Sequence, residues 1–507
     1  MVVRTSTRQN HDRGGNPRPA HVRPAAAMPG PRGLPLAGSL LDIQRDPLSF
    51  LSRAHRAHGD MMRVRLGPKT IYIASHPRDV QHVLQENARN YRKGDHYKVL
   101  RPVFGNGLML SEGDFWLKQR RIVQPAFNRQ KLGQFATTMT DLTSEMLQRW
   151  DVSAATGDAI DVWHEMVNLT LSIVCTSLFG VDISQQANGV GEAHSLCLQH
   201  AERQILALVP IPESLPTPAN RRYQRAVATI REVIDGLIDE RRSAGEDRGD
   251  LLSTLAFARY EETGELMDHD QLRAEVITLL LNGHETVSDA LGWAFYLLSK
   301  HPHAARLLHQ EVDTVLGGRT PTLNDLRALE YTSWVVQESM RLYPPAWVIE
   351  RDTIATDEVG GYRLPPNSTV VLSQWVTHRH PDVWENPEGF DPERFSPKQS
   401  AGRHRFAYFP FGGGPRLCVG SNFAMMEMTL ILAMIAGRYH LDLVPGHPVE
   451  LEPVITLRPK HGILTTLRRR TPHSLSIVST PDTPAVTTAP VEGAPMSNGR
   501  CPFSGGA

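Results

Sequence analysis

One cysteine of this chain lies in a setting suited to metal ligation. Cys418 belongs to the glycine-rich segment Phe411–Gly420, and a helical stretch, Ser421–Ile435, follows it. Glycines let the backbone approach a flat ligand closely. A cysteine just before a helix N-terminus has its thiolate stabilised by free N–H groups and by the helix dipole. The segment therefore predicts a soft anionic ligand for a metal such as iron, with a buried cysteine in an ordinary turn as the alternative.

The same segment resembles the haem-binding loop of the cytochrome P450 family, whose pattern is Phe-x-x-Gly-x-Arg-x-Cys-x-Gly. Every fixed position matches, namely Phe411, Gly414, Arg416, Cys418 and Gly420. The resemblance implies that Cys418 ligates the iron of haem b. It also implies that Phe411, Gly414 and Arg416 belong to the cofactor site.

Two further segments follow the family's order. Glu338-Ser-Met-Arg341 resembles the Glu-x-x-Arg helix pair, whose spacing puts both side chains on one helix face. Phe390–Phe395 resembles the segment that adds a second arginine, Arg394, to this pair. The resemblance implies a structural role for the three charged residues, which would lock the loop that carries Cys418.

Asn282-Gly-His-Glu-Thr286 resembles the family's oxygen-activation segment, with Asn282 where the family usually has Ala or Gly. By resemblance, Thr286 and Glu285 are the catalytic pair, the hydroxyl holding a water that brings protons and the carboxylate connecting to bulk solvent. The alternative for Thr286 is a hydroxyl that bonds back to a carbonyl one turn earlier. Gly283 weakens a helix interior by about 1 kcal/mol relative to alanine, and we expect it where the helix widens locally and passes closely over the haem. We expect His284 to point away from the iron.

Four side chains are implied as partners of the haem propionates. Trp116 and Arg120 lie in a Trp-x-x-x-Arg pattern similar to the family's, and their i, i+4 spacing lets both reach one carboxylate. Arg351 and Arg416 are further candidates by position. The alternative for Arg351 is an ordinary charge at a strand end.

Helical periodicity dominates the elements that must position these residues, and Asp270–Lys300 is the longest predicted helix. Short segments rich in β-formers predict strands at Met61–Leu66, Thr70–Ala74, Ser368–Leu372, Val454–Leu457 and Gly462–Leu467. The sequence therefore predicts a mainly α protein with small peripheral β-sheets (α+β). The resemblance implies a cytochrome P450-like fold, with haem buried between the long helix and the Cys418 loop.

Composition limits the function classes further. The 507 residues carry 54 Lys+Arg and 54 Asp+Glu, a balance that disfavours nucleic-acid binding. The four cysteines show no zinc-site spacing and fit a reducing compartment, so we expect a cytoplasmic protein without a transmembrane anchor. We predict one catalytic domain at 29–470 between disordered arms at 1–28 and 471–507, with Cys501 an incidental thiol of the second arm.

The resemblance implies a haem-thiolate monooxygenase that inserts one atom of O2 into a hydrophobic small molecule, such as a terpenoid, fatty acid, steroid or polyketide-like compound. Electrons are expected from a separate ferredoxin or flavodoxin with an NAD(P)H-dependent reductase, because no flavin or iron–sulfur module follows residue 469. Alternatives are a peroxide-using or isomerising haem-thiolate enzyme, and a non-catalytic haem-binding sensor. Apolar residues stand at substrate-contact positions of the family or, alternatively, form ordinary core: Ala346–Ile349, Leu279–Leu281, Val287, Val454–Leu457 and Leu206–Pro210.

Overall fold

The structure, a computed structural model, describes residues 22–181, 187–207, 211–260 and 264–470. The predicted arm at 471–507, with Cys501, lies outside these ranges. The helices are α1 (Leu40–Arg45), α2 (Pro47–His58), α3 (Pro77–Gln81), α4 (Arg101–Phe104), α5 (Gly113–Val123), α6 (Arg129–Thr156), α7 (Val162–Phe179), α8 (Ala187–Leu206), α9 (Pro218–Ala244), α10 (Leu251–Ala256), α11 (His269–Lys300), α12 (Pro302–Leu316), α13 (Glu330–Leu342), α14 (Gln374–Thr377), α15 (Pro397–Ser400) and α16 (Ser421–Arg438). The strands are β1 (Arg23–Pro24), β2 (Met61–Leu66), β3 (Lys69–Ala74), β4 (Tyr91–Lys93), β5 (Ile160–Asp161), β6 (Ile349–Thr353), β7 (Asp357–Val359), β8 (Tyr362–Leu364), β9 (Thr369–Leu372), β10 (Tyr439–Leu443), β11 (Leu451–Pro453), β12 (Leu457–Pro459) and β13 (Leu464–Arg469).

The central helix α11 confirms the prediction of a long helix ending at Lys300. Its N-cap is Asp268, whose side chain accepts a hydrogen bond from the Gln271 N–H, as expected for an acidic cap. Pro302 begins α12 directly afterwards. Most of α11 is buried, so the polar residues along it are held in fixed surroundings.

Helix α7 packs lengthwise against α11. The hydroxyl of Thr170 on α7 donates to the carbonyl of His284 over 3.1 Å. Among the described helices, α7 alone has the length and apolarity of a membrane span, and 61% of it is buried inside the protein. That burial is what the core helix of a globular protein shows.

In the described residues, four small sheets lie around the helices, with strand orders β2-β3-β9-β6-β4, β10-β13-β5, β1-β8-β7 and β11-β12. The predicted strands at Met61–Leu66, Thr70–Ala74 and Ser368–Leu372 correspond to β2, β3 and β9. The predicted strand Val454–Leu457 is wrong except at Leu457. Residues 454–456 form a bend, because the chain reverses there so that β12 can pair antiparallel with β11.

The N-terminal boundary also differs from the prediction. Residues 1–21 lie outside the described ranges, but Arg23 and Pro24 form β1, which pairs in parallel with β8. Ala25 and Met28 are buried in a small cluster against that sheet. The ordered fold therefore includes residues that we assigned to the arm, because two apolar side chains and one strand edge hold them. The predicted class, mainly α with small peripheral sheets, is confirmed.

Candidate active site

The loop that carries Cys418 closes on itself just before α16. The Cys418 N–H donates to the Phe411 carbonyl over 3.0 Å, and the Leu417 N–H donates to the Gly414 carbonyl over 3.1 Å. Gly414 has φ +62°, and a Cβ there would lie 1.8 Å from the carbonyl oxygen of Leu84. Both its left-handed backbone and this close approach require glycine. The glycine of the motif thus lets the loop pack against the segment at residue 84.

The Cys418 thiol lies within the protein yet faces open space. Its side chain is exposed, although burial raises its pKa. The Gly420 N–H and the positive charge of Arg120 act in the other direction and lower the pKa. Arg120 is held beside the loop, where its Nη1 donates to the Leu417 carbonyl over 2.9 Å. These contacts favour the thiolate, the form in which cysteine binds metals.

One face of α11 is open although most of the helix is buried. Asn282 is exposed and Thr286 is partly exposed, and their i, i+4 spacing puts both on the same face. The Thr286 hydroxyl donates to the Asn282 carbonyl over 3.1 Å, so the back-bond that we weighed for threonine is present. The expected local widening is wrong, since α11 stays α-helical throughout.

The reason for Gly283 is also different from the one we expected. A Cβ at Gly283 would lie 3.1 Å from Cγ2 of Val174 on α7. The glycine therefore permits the close packing of α7 on α11. His284 is buried, with Nδ1 donating to the Leu280 carbonyl over 3.1 Å and its ring 5.5 Å from that of His194. Its direction relative to an iron stays a prediction.

The surroundings of Glu285 contradict a direct connection to bulk solvent. Glu285 is only 8% exposed, and burial raises its pKa. The Thr456 hydroxyl donates to its Oε1 over 2.7 Å, and Nδ1 of His194 on α8 lies 3.2 Å from its Oε2. We did not single out His194, because a histidine on an apolar helix has no sequence signal of its own. For Thr456 the sequence offers a weak signal, because it is the polar residue of the apolar segment Val454–Leu457.

Positive charges collect near the N-terminal end of α5. The Arg416 guanidinium stacks over the Trp116 ring at 4.0 Å and pairs with Glu112 over 2.8 Å. The pKa of Arg416 is lowered to about 10, and burial is the largest cause. Lys93 also belongs to this cluster, and we did not predict it because an isolated lysine in a short strand gives no sequence signal. The pKa of Lys93 lies well below its usual range. The causes are burial and the charges of Arg351 and Arg416.

The network of Glu338, Arg341 and Arg394 is present as expected. Arg341 donates to both carboxylate oxygens of Glu338, over 2.7 and 2.8 Å, and neither side chain is exposed. Arg394 Nε lies 3.4 Å from Glu338. Arg341 also donates to the carbonyls of Pro387 and Gly389, so it fixes the segment that precedes Arg394.

The apolar candidates for substrate contact divide into two groups. The first group, Leu279–Leu281 and Val287, is buried in the main core. This placement agrees with the alternative that these residues form ordinary core. Trp347 is half-buried and its indole N–H donates to the Val454 carbonyl over 2.8 Å, which ties the segment after α13 to the bend at 454–456. Of the stretch at 206–210, residues 208–210 lie outside the described ranges.

These features fit a flat metal-bearing group with two carboxylates. Cys418 offers an exposed sulfur ligand, and α11 presents a partly polar open face. Three cationic side chains lie together, Lys93, Arg351 and Arg416, and the carboxylate of Glu112 offsets part of their mutual repulsion. An anionic ligand at that place would relieve an unfavourable buried charge.

Comparison with known proteins agrees with this chemistry. A family model described as "Cytochrome P450" matches residues 28–466. Cyclooctatin synthase of Streptomyces melanosporofaciens is 41% identical over 430 residues, which are 84% of this chain and 92% of that protein. Cyclooctat-9-en-7-ol 5-monooxygenase of the same organism is 39% identical over 84% of this chain and 91% of its own length. Pentalenene oxygenase of Streptomyces avermitilis is 33% identical over 89% of this chain and 99% of its own length.

Proposed function

The chain belongs to the cytochrome P450 family and is a haem-thiolate monooxygenase, and we propose that its substrate is a terpenoid. The observation that carries this proposal is the near full-length similarity to relatives named for cyclooctat-9-en-7-ol and pentalenene. Such compounds are mostly hydrocarbon. The half-buried apolar side chains of Ala346, Trp347 and Val348 suit a ligand of this kind.

We propose that Cys418 would ligate the haem iron and that the cationic cluster would hold the propionates. Arg351, Arg416 and Lys93 would neutralise the carboxylates, with Trp116 stacked beneath Arg416. When bound, the haem supplies the oxygen chemistry, and a thiolate ligand favours O–O bond cleavage. Gly414 and Phe411 shape the loop, while the Gly420 N–H and Arg120 would stabilise the Cys418 thiolate when it binds the metal.

The proposal for Cys418 is tested by spectroscopy. Reduced protein with CO should show the absorption typical of thiolate ligation, and Cys418→His should lose that band because imidazole is a neutral ligand. Cys197→Ser, which changes another cysteine with no place in the proposed site, should keep it. A wild-type band typical of histidine ligation would overturn the assignment.

We propose that Thr286, on the open face of α11, and the buried Glu285 next to it deliver protons. The Thr286 hydroxyl can hold a water there, while burial raises the pKa of Glu285 and so favours its protonated form. Thr286→Ala should leave haem content and substrate affinity nearly unchanged, but shift electrons from hydroxylated product to hydrogen peroxide. Glu285→Gln should instead slow turnover with less peroxide.

The matched control for Thr286→Ala is Thr314→Ala. The Thr314 hydroxyl makes the same kind of back-bond, to the Gln310 carbonyl over 2.7 Å, but lies on the exposed helix α12. If both variants keep the wild-type ratio of product to peroxide, Thr286 acts only within its helix and leaves the proposed site.

Electrons would come from a separate ferredoxin or flavodoxin with an NAD(P)H-dependent reductase, and we propose that the enzyme works in the cytoplasm. Reconstitution with each carrier separately, scored by NAD(P)H-dependent product, tests the partner. Product formed from hydrogen peroxide alone, with no gain from either carrier, would favour the peroxide-using alternative. A screen of terpenoids by the shift of the haem Soret band tests the substrate class, with fatty acids and steroids as the competing sets.

A further inference from the structure

The carboxyl group of Glu285 is held from two sides by residues of other elements. Thr456, in the bend before β12, donates its hydroxyl to Oε1 over 2.7 Å. His194, on α8, places Nδ1 3.2 Å from Oε2. His194 is 4% exposed, so its imidazole and the carboxyl face each other with little water between them. The close partner of Oε2 is therefore an imidazole nitrogen, a group that can gain and lose a proton.

The charge state of this pair follows from its burial. Burial raises the pKa of Glu285. Burial and the charge of Arg458 lower the pKa of His194 to about 3. Burial therefore favours the uncharged form of both groups, with the shared proton on the carboxyl. In that form the 3.2 Å separation lets the Glu285 O–H donate to Nδ1 of His194, whose ring proton is then on Nε2.

The other ionisable groups around the pair do not replace His194. On α11, burial lowers the pKa of His284 to about 4, and Asp289 has a pKa well above its usual range because of burial and of Glu285. Asp289 is held by the indole N–H of Trp163 over 2.9 Å. In the described part of the chain, it is His194 that lies within hydrogen-bond distance of Oε2.

Three further charged groups lie near the pair, namely Arg458, Glu452 and Glu202. Arg458 donates to Glu452 over 2.7 Å and to the hydroxyl of Ser195 over 2.9 Å. Burial, followed by the charge of Glu452, raises the pKa of Glu202 to about 7. Arg458 is thus engaged by a carboxylate and a hydroxyl, and its charge adds to the effect of burial in lowering the pKa of His194.

We propose that His194 is a positioning residue that shares one proton with Glu285 and restores the carboxyl proton after each transfer towards Thr286. After Glu285 has released its proton, the neutral imidazole, whose Nε2 already carries a proton, takes a proton from solvent at its free Nδ1. It then passes this Nδ1 proton to the carboxylate, so one N–H bond breaks as one O–H bond forms and His194 returns to its neutral form. This inference rests on the proposed function and adds a residue of α8 to it.

The test uses His194→Asn in the full-length holoprotein. Asparagine places an amide atom where Nδ1 lies and keeps a hydrogen bond, but it cannot carry a proton. The matched control is His200→Asn on the same helix. His200 is equally buried and stacks on Tyr223 at 3.9 Å, away from Glu285.

The first readout is the infrared carbonyl stretch of the protonated Glu285 carboxyl in the resting protein, assigned by its absence in Glu285→Gln. We expect His194→Asn to shift this band and to lower its titration midpoint by at least about one pH unit, a tenfold change in the equilibrium. The reason is that the neutral imidazole nitrogen accepts from the protonated carboxyl, whereas an amide N–H can donate to the carboxylate and so favour the charged form. The control should titrate as the wild type does.

The second readout is the ratio of product to peroxide against pH, measured with a confirmed substrate. The ratio should fall in His194→Asn by about tenfold, which matches a shift of the carboxyl midpoint by about one pH unit, and recover partly as the pH is lowered. An unchanged infrared band overturns the shared proton, and an unchanged ratio at every pH overturns the role in proton supply. Absence of the thiolate-type CO band in the wild type would instead refute the proposed function. Failure of the inference about His194 and failure of the proposed function therefore give different results.

Discussion

Removal of Arg341 should destabilise the protein far more than removal of a surface arginine. The side chain has no exposed surface and donates to Glu338 twice and to the carbonyls of His378, Pro387 and Gly389. Arg341→Met removes the charge and every one of these bonds while it fills much of the volume. Breaking a buried ion pair by removing one partner costs about 3–5 kcal/mol.

Two contacts would remain to Glu338 and moderate this cost. The Asp391 N–H donates to its Oε1 over 2.9 Å, and Arg394 lies 3.4 Å away. We therefore expect Arg341→Met to lower the free energy of unfolding by about 3 kcal/mol, the lower end of that range. A double variant with Glu338→Leu should recover part of the loss, because it also removes the stranded buried charge.

The assay is urea unfolding followed by far-ultraviolet circular dichroism and by the Soret band, with the midpoint and slope compared between variants. The matched control is Arg363→Met. Arg363 pairs with Glu358 over 3.1 Å, and both side chains are at least half exposed, so solvent screening limits its loss to less than about 1 kcal/mol. Equal losses in Arg341→Met and Arg363→Met would refute the argument from burial.

Two further predictions concern the Cys418 loop and the helix after it. Gly414→Ala should lower haem content, because a left-handed residue costs roughly 1–2 kcal/mol and the new Cβ would meet the Leu84 carbonyl at 1.8 Å. Gly446→Ala, with φ +79° and no atom within 4 Å, should keep its haem, and equal haem loss would show that the Leu84 contact is not the cause. Glu427 has a pKa well above its usual range because of burial, so wild-type stability should fall as the pH rises above the unfolded pKa, by up to about 1.4 kcal/mol per pH unit. Glu427→Gln should remove that slope, which is measured as the urea midpoint against pH. The control, Glu450→Gln, should instead change stability at acidic pH, because the pair with Lys460 lowers the pKa of Glu450. A wild-type slope retained in Glu427→Gln would contradict the assignment.

The sequence by itself determined the features that depend on neighbouring residues. The Cys418 loop needs glycine at 414 and a helix start after 420, and both are readable because turn and cap preferences act over a few residues. The long helix ended at Lys300 as its periodicity predicted. The pairing of Glu338 with Arg341 followed from helix spacing, and the resemblance added Arg394.

The tertiary structure alone decided the contacts between distant segments. Lys93 joins the cationic cluster, and His194 reaches Glu285, because the fold brings β4 and α8 to residues far along the chain. Gly283 accommodates Val174 of α7, and Met28 is buried by a sheet formed with residues beyond 356. A local pattern states what a residue can do, whereas the packing of elements selects its partner and sets its burial. Burial then sets the charge state on which the proposed chemistry depends.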